Sequence, residues 1–176
     1  MAELKGSKTE KNLQAAFAGE SQARNKYTYF AKVARKEGYH YIADIFEETA
    51  MNEMQHAKDE FKLFHGIGNT AENLQEAVNG ENYEVVSMYP EFAKIAAEEG
   101  FKDAELLFNQ IAKVEAKHRD RYQKLLDKVK SGTVFKSEKP IQWKCSKCGY
   151  IVEIKDAPEK CPCCKHPKEY FGPVSL

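Results

Sequence analysis

No cysteine occurs before Cys145, and all five fall among the last 32 residues of a 176-residue chain. A disulfide framework for the whole chain is excluded, and in a reducing compartment such a cluster points to metal ligation. Charge of neither sign prevails, since 27 Lys and Arg balance 27 Asp and Glu. Without a basic stripe, a nucleic-acid partner is not expected. No apolar run approaches the roughly 20 residues that span a bilayer. Met1 to Asn12 is polar and charged and lacks the apolar core of a secretory signal. These absences lead us to expect a cytoplasmic protein with no membrane partner.

What is present is a duplication. Residues 9–65 and 70–127 are two copies of one pattern. Thr9, Asn12, Leu13, Gln14, Ala16, Gly19 and Glu20 recur 61 positions later as Thr70, Asn73, Leu74, Gln75, Ala77, Gly80 and Glu81. Further on the offset is 62: Tyr27, Phe30, Ala31, Lys32, Ala34, Glu37 and Gly38 return as Tyr89, Phe92, Ala93, Lys94, Ala96, Glu99 and Gly100. Glu53 and His56 return as Glu115 and His118. Such a repeat predicts one supersecondary unit used twice.

Helical spacing of apolar residues, as in Ile42, Ile45 and Phe46 or Leu106, Leu107, Ile111 and Val114, predicts four long helices. The first starts behind Ser7, with Glu10 at capping-box spacing, and runs to about Glu37. The others cover about Tyr39–Phe64, Thr70–Gly100 and Lys102–Lys130. Short connections favour antiparallel neighbours, hence an all-α four-helix bundle. Pro90 interrupts the third helix, and the offset changes just before it, between Glu81 and Tyr89. A π-bulge there is expected, one that re-aims nearby side chains. The expected domains are a bundle over 1–130, a linker over 131–140, and a small tail domain over 141–176 that needs a metal staple.

Glu53 and His56 are three apart, as are Glu115 and His118, so each pair shares a helix face. With Glu20 and Glu81 they make four Glu and two His, one group from each helix. This set matches the donor pattern of ferritin-like di-iron proteins. Buried carboxylates are unfavourable unless paired or metal-bound, and two divalent cations offset four of them. Oxygen donors with imidazole suit iron or manganese. Glu84 lies three residues after Glu81, but its counterpart in the first copy is Ala23. As a seventh donor it breaks the symmetry between the two metals; the bland alternative is a solvated charge. Tyr27 and Tyr89 share roughly the faces of Glu20 and Glu81, either to hydrogen-bond ligand carboxylates or simply to pack. His40 and His65, near helix ends, read as surface or capping residues.

In the tail, Cys145-Ser-Lys-Cys148 and Cys161-Pro-Cys-Cys164 form two Cys-x-x-Cys knuckles, a tetrahedral four-thiolate pattern that fits zinc or a single iron. Cys163 falls between two ligands and is read as a non-ligand. Trp143, Tyr150, Tyr170 and Phe171 are expected to pack around the knuckles, with His166 structural or exposed.

The order of these motifs, a duplicated Glu…Glu-x-x-His bundle followed by Cys-x-x-Cys-Gly-Tyr and Cys-Pro-x-Cys, resembles the rubrerythrin family over essentially the whole chain. The resemblance implies a rubredoxin-like tail holding one iron on Cys145, Cys148, Cys161 and Cys164. It implies a di-iron site with one iron on Glu20, Glu53, Glu115 and His118. The second iron would take Glu53, Glu81 and Glu115, with Glu84 when oxidised and His56 when reduced. It further implies a peroxidase that reduces hydrogen peroxide to water in oxidative-stress protection. Electrons would come through the tail iron from rubredoxin or an NAD(P)H-dependent reductase. The fourth helix ends about 22 Å beyond Glu115, and a ten-residue linker spans at most about 35 Å. A tail folding back on its own bundle is therefore possible, whereas the resemblance implies a head-to-tail homodimer. Competing readings are a ferroxidase, which leaves the one-electron tail unexplained, a manganese catalase, and a zinc-stapled binding module.

Overall fold

The computed structural model describes residues 3–175; Met1, Ala2 and Leu176, which include the start of the polar N-terminus, lie outside the described residues. The chain divides into two compact units, residues 1–67 and 68–176.

The first unit is a helical hairpin of α1 (Lys8–Lys36) and α2 (His40–Phe64). The Ser7 hydroxyl accepts the Glu10 amide at 3.0 Å. The Glu10 carboxylate reaches back one residue further than expected, to the Gly6 amide at 2.6 Å, so the cap is only half of the expected box. The turn is a Schellman motif: Gly38, at φ 88°, donates to the Arg35 carbonyl and Tyr39 donates to Ala34. Small residues let the two helices approach closely. Ala31, Ala34 and Ala43 are buried together, with Phe46 against them. Arg35 on α1 pairs with Asp44 at 3.0 Å and Glu47 at 2.9 Å on α2.

The second unit repeats this hairpin. Here α3 (Thr70–Tyr83) passes through a π-helical segment, Glu84–Met88, into α4 (Tyr89–Glu98), and α5 (Lys102–Ser131) packs antiparallel to them. Asn69 and Glu72 form a full capping box on α3. The π segment is the expected irregularity. One added residue widens the turn, which accounts for the offset change from 61 to 62, and Pro90 then sits in the first turn of α4, where its missing N–H removes little. The turn into α5 repeats the first: Gly100, at φ 83°, donates to Ala97, and Phe101 to Ala96.

The tail forms a three-stranded antiparallel sheet, with β1 (Ile141–Cys145) between β2 (Ile151–Ile154) and β3 (Phe171–Pro173). Its core is Trp143, Cys145, Ala157, Cys161 and Phe171, with Tyr150 and Tyr170 packed against it, as expected. The Trp143 indole N–H donates to the Ile154 carbonyl at 3.2 Å. The expected linker is partly recruited: Phe135 packs on this core, and its carbonyl accepts the Ala157 amide at 2.9 Å. Four long helical stretches and a small sheet around four cysteines bear out the expected fold class. Among the described residues, no helix is long and apolar enough to cross a membrane.

Candidate metal centres

Each hairpin carries one cluster of potential ligands. In the first unit, Glu20 on α1 meets Glu53 and His56 on α2, with one donor atom from each within 4.8 Å of the others. His56 Nδ1 stands 3.0 Å from the Glu53 carboxylate and 3.9 Å from that of Glu20. In the second unit, Glu81 on α3 meets Glu115 and His118 on α5 in the same way. His118 Nδ1 contacts the Glu115 carboxylate and lies 3.7 Å from Glu81. The three-residue spacing that put each Glu and His on one face is thus realised twice.

Both clusters show the electrostatics of crowded carboxylates. The carboxyl of Glu20 is raised above its ordinary value by its hydrogen bond with Glu53, then by burial and the Glu53 charge. That of Glu81 is raised by burial, then by Glu115. One Glu81 oxygen, Oε2, is buried with no hydrogen-bond partner. A buried carboxylate oxygen without a donor is unfavourable alone and is what a bound cation satisfies. Carboxylate oxygens with an imidazole nitrogen on each side are donors suited to iron, so the residues present fit a di-iron group.

Glu84 lies outside the tight set but close to it. Burial and the Glu115 charge both raise its carboxyl. It begins the π segment, where the helix departs from α geometry. Tyr27 and Tyr89 occupy equivalent places, each in an aromatic trio. Tyr27, Phe30 and Phe46 have ring centroids 5.7–6.3 Å apart, and Tyr89, Phe92 and Phe108 have theirs 5.6–6.5 Å apart. Neither tyrosine hydroxyl hydrogen-bonds a carboxylate among the described residues. The Tyr89 hydroxyl is nevertheless raised by burial and by the charges of Glu84, Glu115 and Glu81, which places it within their field. In the sequence Phe46 reads only as part of an apolar helix face and Phe108 does not stand out, although the same 62-residue offset relates them.

Cys145, Cys148, Cys161 and Cys164 converge with all four sulfurs within 4.8 Å of one another. Cys145 and Cys164 are 3.7 Å apart and Cys148 and Cys161 3.6 Å. A tetrahedron with metal–thiolate bonds of about 2.3 Å has edges of about 3.8 Å, so the pocket fits one metal ion. Each knuckle turns on a residue of positive φ just after its second cysteine, Gly149 at 79° and Lys165 at 64°. Burial acts to raise the Cys161 thiol, but the Cys164 and Cys163 amides outweigh it and bring it to about 7. The Tyr150 backbone acts to lower Cys148, but the neighbouring thiols and burial push it to about 12. Cys163 is exposed and outside the four-sulfur set. His166 stacks edge-on to Tyr170 at 5.0 Å. His65 stacks on Phe61 at 4.9 Å, and His40 opens α2 at the surface.

Comparison with known proteins follows the same division. The rubrerythrin family model matches residues 11–126, and the model of the rubrerythrin rubredoxin-like domain matches 143–172. The rubrerythrin of Porphyromonas gingivalis is 52% identical, over 97% of this chain and 92% of that protein. The rubrerythrin of Nitratidesulfovibrio vulgaris is 45% identical, over 97% of this chain and 96% of its own. A solved structure of nigerythrin in a partially reduced state shares 35% identity over 98% of this chain and 90% of that one, with a TM-score of 0.38. With two carboxylate–histidine clusters on paired helices and a four-cysteine site in the tail, the chain belongs to the rubrerythrin family of iron-dependent oxidoreductases, which join a ferritin-like helical bundle to a rubredoxin-like domain.

Proposed function

We propose that this protein is a peroxidase that reduces hydrogen peroxide to water, and that the two carboxylate–histidine clusters are halves of one di-iron site. The observation that carries this reading is the pairing, in one chain, of those clusters with a four-thiolate site. Peroxide reduction consumes two electrons and two protons and yields two waters, whereas a four-thiolate iron passes one electron at a time. A paired centre fed by a one-electron carrier matches that balance.

In this reading residues 1–130 serve the chemistry, 131–140 connect, and 141–176 carry electrons. Glu20, Glu53, Glu115 and His118 hold one iron. Glu53, Glu81 and Glu115 hold the other, with Glu84 or His56 according to redox state. When bound, the pair supplies two electrons and Lewis-acid stabilisation of charge on the peroxide oxygens. The chain's own groups do the rest. The carboxylates of Glu81 and Glu84 stand close to Glu115 and would serve as ligands, the cation taking the place of the proton that each holds more tightly without it. Tyr89 stands in their field as a neutral donor. The four thiolates of the tail form a rigid cage that changes little between oxidation states, as a carrier requires. Reduced rubredoxin or an NAD(P)H-dependent reductase supplies the electrons, and a head-to-tail homodimer is one assembly that brings a tail to a bundle.

The test is rapid mixing of the iron-loaded, fully reduced protein with hydrogen peroxide and, separately, with oxygen, following the ferric–thiolate colour. Recolouring faster with peroxide than with oxygen, and its loss in Glu115→Ala, is the expected result. A faster response to oxygen reassigns the protein as an oxidase or ferroxidase.

A further inference from the structure

Among the described residues, two carboxylate oxygens of the helical hairpins are buried without a hydrogen-bond partner, Glu81 Oε2 and Glu60 Oε2. Glu81 is part of the second cluster. Glu60 belongs to neither tight set, yet it follows His56 by four residues and Glu53 by seven, so all three share one face of α2.

Its own hairpin offers Glu60 little to pair with. One helical turn away on α2 lie His56, Ala57, Leu63 and Phe64. Of these only His56 carries a side-chain donor, and its Nδ1 is turned to Glu53 at 3.0 Å. Lys58 and Lys62 stand two residues to either side and project from the opposite face, where Lys62 pairs with Asp59 at 3.6 Å. Across the hairpin, Phe17 on α1 packs on Phe61 and Phe64, with ring centroids 5.2 and 5.7 Å apart. Glu20, one turn further along α1, has the same charge as Glu60. The two feel one another: the Glu20 carboxyl, raised first by its hydrogen bond with Glu53, is raised further by the charge of Glu60. A carboxylate oxygen held in such surroundings is unfavourable in the metal-free chain, and a cation offsets it.

The repeat adds a second argument. At the 62-residue offset Glu60 corresponds to Tyr122, just as Glu84 corresponds to Ala23. Each hairpin therefore adds to its tight set one carboxylate that the other lacks. With Glu60 the first has three carboxylates and one imidazole, the same set as Glu81, Glu84, Glu115 and His118 in the second. We propose that Glu60 is a further metal-holding carboxylate, which acts on the ion taken by Glu20, Glu53 and His56 and tightens its retention. This rests on the reading of that cluster as a metal site. Groups just outside a ligand set typically change metal affinity by about 10–100-fold.

Chelator competition on the full-length protein tests it. Wild type, Glu60→Gln, Glu60→Leu and Asp59→Asn are loaded with ferrous iron without oxygen and titrated with a ferrous chelator, and the iron left in the bundle is counted. Glutamine keeps the shape of Glu60 and removes its charge, and leucine suits the apolar neighbours. Asp59→Asn removes the same charge one residue away, about 100° around the helix. Helical circular dichroism and the ferric–thiolate colour of the oxidised tail report folding. The chelator concentration that removes half of the bundle iron should fall about 10–100-fold in both Glu60 variants and stay at the wild-type value in Asp59→Asn. The metal-free Glu60 variants should be at least as stable as wild type, because an unpartnered buried charge is gone, so weaker retention does not report a looser fold. Wild-type retention in the Glu60 variants, or an equal loss in Asp59→Asn, overturns the proposal. A wild-type protein that binds iron only in its tail overturns instead the reading of the cluster as a metal site.

Discussion

At the residue scale, the carboxylates define how the protein responds to pH. Burial, followed by Glu115, raises the folded-state carboxyls of Glu81 and Glu84 above the ordinary value of 4.5. Between that value and the raised one, the folded chain holds more protons than the unfolded chain, so these groups lower stability as pH rises through that window. The metal-free protein should show this loss from about pH 4.5 upward, and Glu81→Gln should flatten it. Scanning calorimetry of both proteins across that range measures it; parallel pH profiles would remove the carboxylate from the account. Ferrous iron should reverse the loss, because the cation replaces the proton. In the tail, Gly149 occupies φ 79°, where a side chain costs about 1–2 kcal/mol. Gly149→Ala should weaken metal retention against a chelator, whereas Cys163→Ser should leave it unchanged, since Cys163 lies outside the four-sulfur cluster. Equal iron loss from both variants would contradict the ligand assignment.

At the element scale, the π segment is the asymmetric feature of an otherwise repeated hairpin. The first copy reaches Tyr27 seven residues after Glu20, and the second reaches Tyr89 eight residues after Glu81. Deleting Val86 restores the spacing of the first copy. The helix should then run on as α, with Tyr89 still packing in its trio, because Tyr27 does so at that spacing. We expect a melting temperature within about 4 °C of wild type, or about 1 kcal/mol, together with altered metal spectra, because Glu84 starts the segment that is removed. A collapse in stability would mean that the bulge is needed for packing. The helix boundaries were legible in the sequence because their stop signals are local: Gly38 and Gly100 each accept the positive φ that ends a helix. The bulge was legible through Pro90 together with the change in repeat offset, since a π turn has no residue signature of its own. The recruitment of Phe135 was not legible, because a lone aromatic in a polar linker gains meaning only from the core it meets.

At the scale of the whole molecule, bundle and tail depend on different forces. The helices of each hairpin close on small residues such as Ala31, Ala34, Ala43, Ala93 and Ala96 and need no metal to form their hydrogen bonds. The tail has a five-residue buried core, two members of which are cysteines. A domain of this size relies on its metal for folding energy. The single tryptophan of the chain, Trp143, is fully buried in that core. A strong thiol-competing chelator should therefore shift tryptophan emission to the red while helical circular dichroism is largely retained. Simultaneous loss of both signals would show that bundle and tail unfold as one.

The sequence by itself determined which residues are candidate ligands, because ligation constrains side-chain chemistry and short-range spacing. Glu-x-x-His on a helix and Cys-x-x-Cys on a turn bring their donors together almost wherever the chain runs. It also determined the helices and their ends, through local backbone preferences. What the tertiary structure decided is long-range. It selected which Glu from one helix meets which Glu-x-x-His on the next, gathered the two aromatic trios, and drew Phe135 onto the tail core. It also held one carboxylate oxygen of Glu81 buried without a donor. These depend on how surfaces distant in the chain pack together, and pairwise burial of that kind leaves no periodic trace in the sequence.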